Sequence, residues 1–208
     1  MSKHLLLACL LSIFFVFTLP AQDISFKGGS TTMKMQQGSE TILLDNGSEV
    51  QVGSLVLRAT SMELYGEDFR FVRCEGEVTL QDEERGISLV TSSLLFDRVE
   101  ETLLIDSWVE LEDTNNQVAA SAARMDFFLK EGIVLLQAQA RLLKHTESAP
   151  MVCRSDFMTF DRDKEMLDLR GRASIVWEPD TYEAQSITVN LKTEEIKMEG
   201  SIKGIIHG

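Results

Sequence analysis

An alternation of apolar and polar positions, nine residues long, is written five times in this 208-residue chain. No other feature restricts its folding as tightly. The copies end in "GEVTL" (76–80), "SWVEL" (107–111), "AQARL" (138–142), "GRASI" (171–175) and "GSIKG" (200–204). Their small residues, Gly76, Ser107, Ala138, Gly171 and Gly200, are 31, 31, 33 and 29 positions apart, a repeat of about 30 residues. Four positions earlier stand Val72, Leu103, Val134, Leu167 and Ile196, and two earlier Cys74, Ile105, Leu136, Leu169 and Met198. Two later come Val78, Val109, Ala140, Ala173 and Ile202, and four later Leu80, Leu111, Leu142, Ile175 and Gly204. A period of two over nine residues is a half-buried strand, and no helix can use it.

Each unit has a first half as well. About sixteen residues upstream of the small residue stands another: Ala59, Thr91, Ala122, Ser155 and Ala184. Leu57, Leu89, Ala120, Cys153 and Tyr182 lie two before it, and Met62, Leu94, Met125, Met158 and Ile187 three after. Leu64, Phe96, Phe127, Phe160 and Val189 follow at five. The step of three breaks the alternation and predicts a β-bulge or bend in this strand. Short charged segments such as "GEDFR" and "DRDKE" join the halves as tight turns, and looser polar links such as "QDEERG" and "EDTNNQ" join the units. Residues 24–53 supply two more irregular strands as a terminal cap, with Ser48-Glu49-Val50 in place of the small-x-apolar step.

One hairpin cannot bury its apolar face alone, whereas stacked hairpins share a core. The pattern therefore predicts an all-β fold, a twisted antiparallel jelly roll or rolled sheet of about five strand-turn-strand units plus the N-terminal cap. A parallel β-helix is the alternative, disfavoured by the tight charged turns. Ten strands divided between two sheets would make a stack of about 25 Å.

Residues 1–21 stand apart. Lys3 and His4 precede an apolar run from Leu5 to Leu19 that ends at Pro20-Ala21, the layout of a cleaved secretory signal. An uncleaved inner-membrane tether is the alternative. Cys9 lies too near the N-terminus for a lipoprotein box. Residues 22–208 are expected to form one domain. The net charge of −13, or −14 without Lys3, argues against nucleic acid or an anionic membrane as partner, because both need a basic face.

Chemistry is sparse. His145 and His207 have no metal-like neighbours in sequence, no G-x-S-x-G elbow appears, and the paired glutamates fall in turns. Neither catalytic residues, metal ligands nor a cofactor are expected. Cys74 and Cys153 occupy apolar columns three units apart, which suits two small buried hydrophobes better than a disulfide. The columns mix large residues with small ones. That pattern allows either a closed core or a slot between two sheets, wide enough for acyl chains.

The motifs "RATSMELY" (58–65) with "GEVTL", "LVTSSLLFD" (89–97) with "SWVEL", and "EAQSITVNL" (183–191) with "EGSIKG" (199–204) resemble the OstA-like β-jellyroll family. That family includes the A-type and C-type periplasmic proteins of lipopolysaccharide transport. The resemblance covers nearly all of residues 22–208 through phased repetition of loose motifs. The aspartate that follows the small residue in the family stands only at Asp156, with Thr60, Ser92, Ala123 and Gln185 elsewhere.

The resemblance implies a periplasmic carrier, A-type or tethered C-type, that shields the acyl chains of lipopolysaccharide or a similar glycolipid. The lipid would lie along Leu57, Met62, Leu64, Leu89, Leu94, Phe96 and Ile105, and along Val109, Met125, Phe127, Leu136, Met158, Phe160 and Leu169. It also implies edge-strand joining to other jellyroll transport proteins, or head-to-tail to itself. The joining edges would be "ISFKGG", with Ile24 and Phe26, and "GSIKGII", with Ile202 and Ile205. A ligand-free structural repeat of the cell envelope is the remaining alternative.

Overall fold

The computed structural model describes residues 23–36, 39–146 and 149–207, so the expected signal segment lies outside the described residues. Alternation produces strands throughout. In chain order they are β1 (Ile24–Lys34), β2 (Thr41–Val52), β3 (Leu55–Ala59), β4 (Ser61–Tyr65), β5 (Phe71–Asp82) and β6 (Ile87–Asp97). Then come β7 (Thr102–Ile105), β8 (Val109–Asp113), β9 (Val118–Ala122), β10 (Arg124–Phe128) and β11 (Ile133–Lys144). The last are β12 (Met151–Asp161), β13 (Met166–Trp177), β14 (Asp180–Asn190), β15 (Glu195–Glu199) and β16 (Lys203–Ile205). Four consecutive pairs (β3/β4, β7/β8, β9/β10 and β15/β16) are the halves of one strand interrupted in the middle. The described residues thus make twelve long strands. Every pairing is antiparallel, running from β1 at one edge to β15 and β16 at the other. The β-helix alternative is thereby excluded.

Each long strand is kinked near its centre, and the kinks line up across the sheet. On β5 the register shifts between Glu75 and Val78, so Gly76 and Glu77 together face one residue of β6. The same two-against-one step recurs at Asn46-Gly47, Ala138-Gln139 and Gly171-Arg172. Both residues of each pair have positive φ, as in Gly76 (74°) with Glu77 (48°) and Gly171 (73°) with Arg172 (49°). The expected bulge therefore exists, but its extra residue belongs to the small-residue strand. The break in alternation read on the neighbouring strand is the imprint of that bulge. At the N-terminal cap the kink is Asn46-Gly47, two residues before the Ser48 step read from sequence.

The residue facing each kink explains where glycine is required. A Cβ on Gly76 would lie 2.8 Å from Thr60 Oγ1 and 3.0 Å from Thr60 Cβ, and one on Gly171 would lie 2.7 Å from an Asp156 oxygen. Ala138 holds the same backbone with a Cβ (φ 58°); its neighbour on the preceding strand is the small Ala123, whose N–H donates to its carbonyl (3.0 Å). We expect Gly76→Ala to cost about 1–3 kcal/mol. Thermal denaturation should show part of this recovered in a Thr60→Ala background.

The turns also share one design. Asp82, Asp97, Asp113 and Asp161 each accept, through Oδ1, the backbone N–H three residues on. Asn190 does the same. Each of these five-residue turns closes on a residue with positive φ: Gly86, Glu101, Gln117, Glu165 or Glu194. The links "QDEERG" and "EDTNNQ", read as looser, are therefore the same Asx-capped turn as the tight "DRDKE", whereas "GEDFR" forms a 3-10 turn at Glu67–Phe69. Pro150 and Pro179, which have no N–H to give to a ladder, fall between strands.

Because every long strand carries a kink, it contributes to both halves of the folded sheet. Twelve strands at about 4.8 Å make a stack on the order of 50 Å, twice the length expected when strands were divided between two sheets. The two halves enclose one apolar cluster running from Ile42 to Leu191. Cys74 and Cys153 are free and fully buried in it, and burial pushes both thiols up to about 12. That matches their reading as small hydrophobes.

Candidate functional site: the enclosed interior and its seam

The fourteen interior residues named from the columns come together. Leu57, Leu64, Val109, Met125, Phe127, Leu136, Phe160 and Leu169 are fully buried. Met62, Leu89, Leu94, Phe96, Ile105 and Met158 are at most 3% exposed. A water-sized channel beside these side chains would leave them more exposed. Of the two interiors open at the sequence level, the structure holds the closed one. The columns fade at the C-terminal end: Ile196 and Met198 are only partly buried, and Ile202 and Ile205 are 56% and 60% exposed. No further strand of the described residues covers them there. Ile24 and Phe26, on the opposite edge strand, are half-buried.

What closes the roll opposite the kinks was not legible in the columns. The eleven residues of β6 would span about 36 Å if straight, yet the turns at their two ends touch. Arg85, before β6, places Nη2 3.1 Å from Glu101 Oε2, beyond its other end. Arg162 Nε lies 2.6 Å from Asp113 Oδ2, with side-chain exposures of only 9% and 0%. Arg162 also donates to the Arg85 carbonyl (2.9 Å) and lies 5.7 Å from the centre of the Phe127 ring. The second Asp113 oxygen accepts the Asn116 backbone N–H (3.1 Å). The seam is therefore held by side-chain ion pairs and hydrogen bonds, whereas each half-sheet is held by backbone ladders.

Beside this lock the seam indents into a cleft of about 490 Å³. Val52, Leu55, Phe96 and Leu129 from the core contribute to its lining, and Arg85, Arg98, Glu84 and Glu101 provide charged groups. The lining is mixed: the two guanidinium groups stand beside two carboxylates, and Arg85 is paired with both Asp82 and Glu101.

Two carboxyls anchor the neighbouring turns. Burial pushes the Asp82 carboxyl upward, but the Arg85 N–H, its guanidinium and the Ser54 hydroxyl outweigh that and hold it below the ordinary 3.8. Asp97 follows the same pattern, with burial outweighed by Arg70 and the N–H groups of Glu100 and Val99. Both are depressed in the folded state, so their stabilisation is complete above the unfolded value and disappears as pH falls through the folded one. We expect the melting temperature to decline below about pH 4, and Asp82→Asn with Asp97→Asn to flatten that decline.

Among the described residues no group of three His, Cys, Asp or Glu is placed to hold a metal ion. No described helix is long and apolar enough to cross a membrane.

Comparison with family models gives no match, and neither does comparison with curated proteins. Among solved structures the chain is similar to LptH, described as the LptA-homologous periplasmic component of the lipopolysaccharide transport device of Pseudomonas aeruginosa. The alignment covers 90% of this chain and 96% of that one at 12% identity, with a TM-score of 0.28. A likeness that loose leaves the function to be argued from this chain's own geometry.

Proposed function

We propose that the protein is a carrier for the acyl chains of an amphipathic glycolipid such as lipopolysaccharide, working in the periplasm after export through residues 1–21. It acts by binding and performs no chemistry. The observation that carries this reading is the seam. A continuous apolar interior is closed along one side by side-chain ion pairs and hydrogen bonds, which can part without disturbing a backbone ladder, and a cleft lined by both apolar and charged residues lies beside them. Acyl chains would enter there and replace core contacts, each methylene contributing about 0.8 kcal/mol, while Arg85 and Arg98 face the anionic head. Among the described residues the edges β1 and β15/β16 leave backbone unpaired, open to a second copy or a related jellyroll protein, which would lengthen the enclosed path. A-type and C-type roles both fit this scheme.

The closed interior favours a second reading, a ligand-free structural repeat of the cell envelope. Photo-crosslinking separates the two. With lipopolysaccharide supplied, a benzoylphenylalanine at Phe96 or Phe127 should capture lipid while one at the outward Val90 does not. Native mass spectrometry should then show the amphiphile bound. No adduct at either interior position, together with no co-purifying amphiphile, would establish the sealed core.

A further inference from the structure

The outer face of the kink line carries a basic, aromatic patch on a chain whose net charge is −13. Five arginines meet there from adjacent strands. Arg141 of β11 pairs directly with Arg154 of β12, and Arg170 of β13 pairs directly with Phe157 of β12. Arg172 occupies the neighbouring kink and Arg124 begins β10. Arg172 is engaged by Asp156, and Arg124 lies near Asp106 and Asp126. Arg141, Arg154 and Arg170 are exposed and form no ion pair with the described residues. Like charges placed directly opposite on a sheet are destabilising, so an anion from outside would relieve the Arg141–Arg154 pair. Two aromatic rings flank these charges, Phe157 at 57% and Trp108 at 49% exposure. Trp108, Arg141, Arg154 and Arg172 share a shallow cleft of about 470 Å³.

We propose that this corner docks the protein on an anionic phospholipid bilayer. Guanidinium forks match phosphate oxygens in pairs, and exposed Trp and Phe rings settle at headgroup level. The acidic remainder of the surface is repelled by the same membrane, so the roll would lie with its kink line on the lipid and its seam facing away. Each of the three unpaired arginines contributes about fivefold to partitioning, or roughly a hundredfold together, and the interaction weakens with salt. This docking is independent of what the interior holds.

The test is co-sedimentation of the full chain with vesicles that are about one-third phosphatidylglycerol in phosphatidylcholine. Binding is expected at low salt, absent on pure phosphatidylcholine and reduced about a hundredfold by R141Q/R154Q/R170Q. Phe157→Ser should weaken it further without changing the melting temperature, and lipid crosslinking at Phe96 should persist in all these variants. Binding that survives the triple substitution would overturn the proposal. So would competition by millimolar inorganic phosphate alone, which would make the patch a site for the free ion. Binding of a DNA oligonucleotide without vesicle binding would reassign the face and overturn it as well.

Discussion

Ile105→Asp is expected to leave the chain without a stable fold. Ile105 sits at the end of β7, 1% exposed, cross-strand from Met125 and one position from the strand break at 106–108. An aspartate there would bury a charge without a partner and lose the packing of the isoleucine, a combined penalty above about 4 kcal/mol. Domains of this kind hold about 5–15 kcal/mol in all. Circular dichroism should show lost strand signal, or a melting temperature lower by more than about 10 °C. Ile105→Val, which only removes a methyl group, should cost about 0.5–1.5 kcal/mol. An aspartate variant that melts like the parent would sink the assignment of this column to the interior.

The second large effect belongs to the seam. Arg162→Ala would leave the fully buried Asp113 carboxylate without its charged partner, and breaking a buried pair from one side costs about 3–5 kcal/mol. Because Arg162 also donates to the Arg85 carbonyl, the change loosens the Arg85–Glu101 contact beside it. The expected result is a melting temperature lower by about 6–20 °C, with 1-anilinonaphthalene-8-sulfonate binding to the newly accessible interior. Replacing both partners, as Arg162→Met with Asp113→Leu, should recover most of the stability, since an apolar pair of similar volume seals the seam without desolvating charge. In that double variant the carrier reading expects slower lipid capture at Phe96 despite restored stability. Equal stability of the parent and Arg162→Ala would mean that the ion pair does not close the roll.

The fold was legible because every unit repeats the same physical instruction. Alternation at Val72, Cys74, Val78 and Leu80 fixes a strand with one buried face, and five copies of it fix a stack. The kink was legible too, though one strand out of place. Sequence shows the break in alternation at residues 91–94, whereas the extra residue that causes it is Gly76-Glu77 on the neighbouring strand, and only pairing reveals which strand carries the surplus. The turns were half legible. Asp82, Asp97, Asp113 and Asp161 recur at strand ends, but their shared role appears only when each carboxylate is seen accepting the N–H three residues on.

Sequence by itself determined the secondary structure, the antiparallel order and the inward set, because a period of two acts over neighbouring residues and needs no distant partner. Three matters were left to the tertiary structure. The length of the roll doubled because each strand folds through the kink line and serves both halves. The seam appeared because Arg162 and Asp113, 49 positions apart, lie in turns that meet only when the sheet has closed. The arginine corner appeared because Arg124, Arg141, Arg154, Arg170 and Arg172 are spread over 49 positions of a strongly acidic chain, where net charge conceals them. Contacts between remote segments depend on the closure of the whole sheet, and no local pattern encodes that closure.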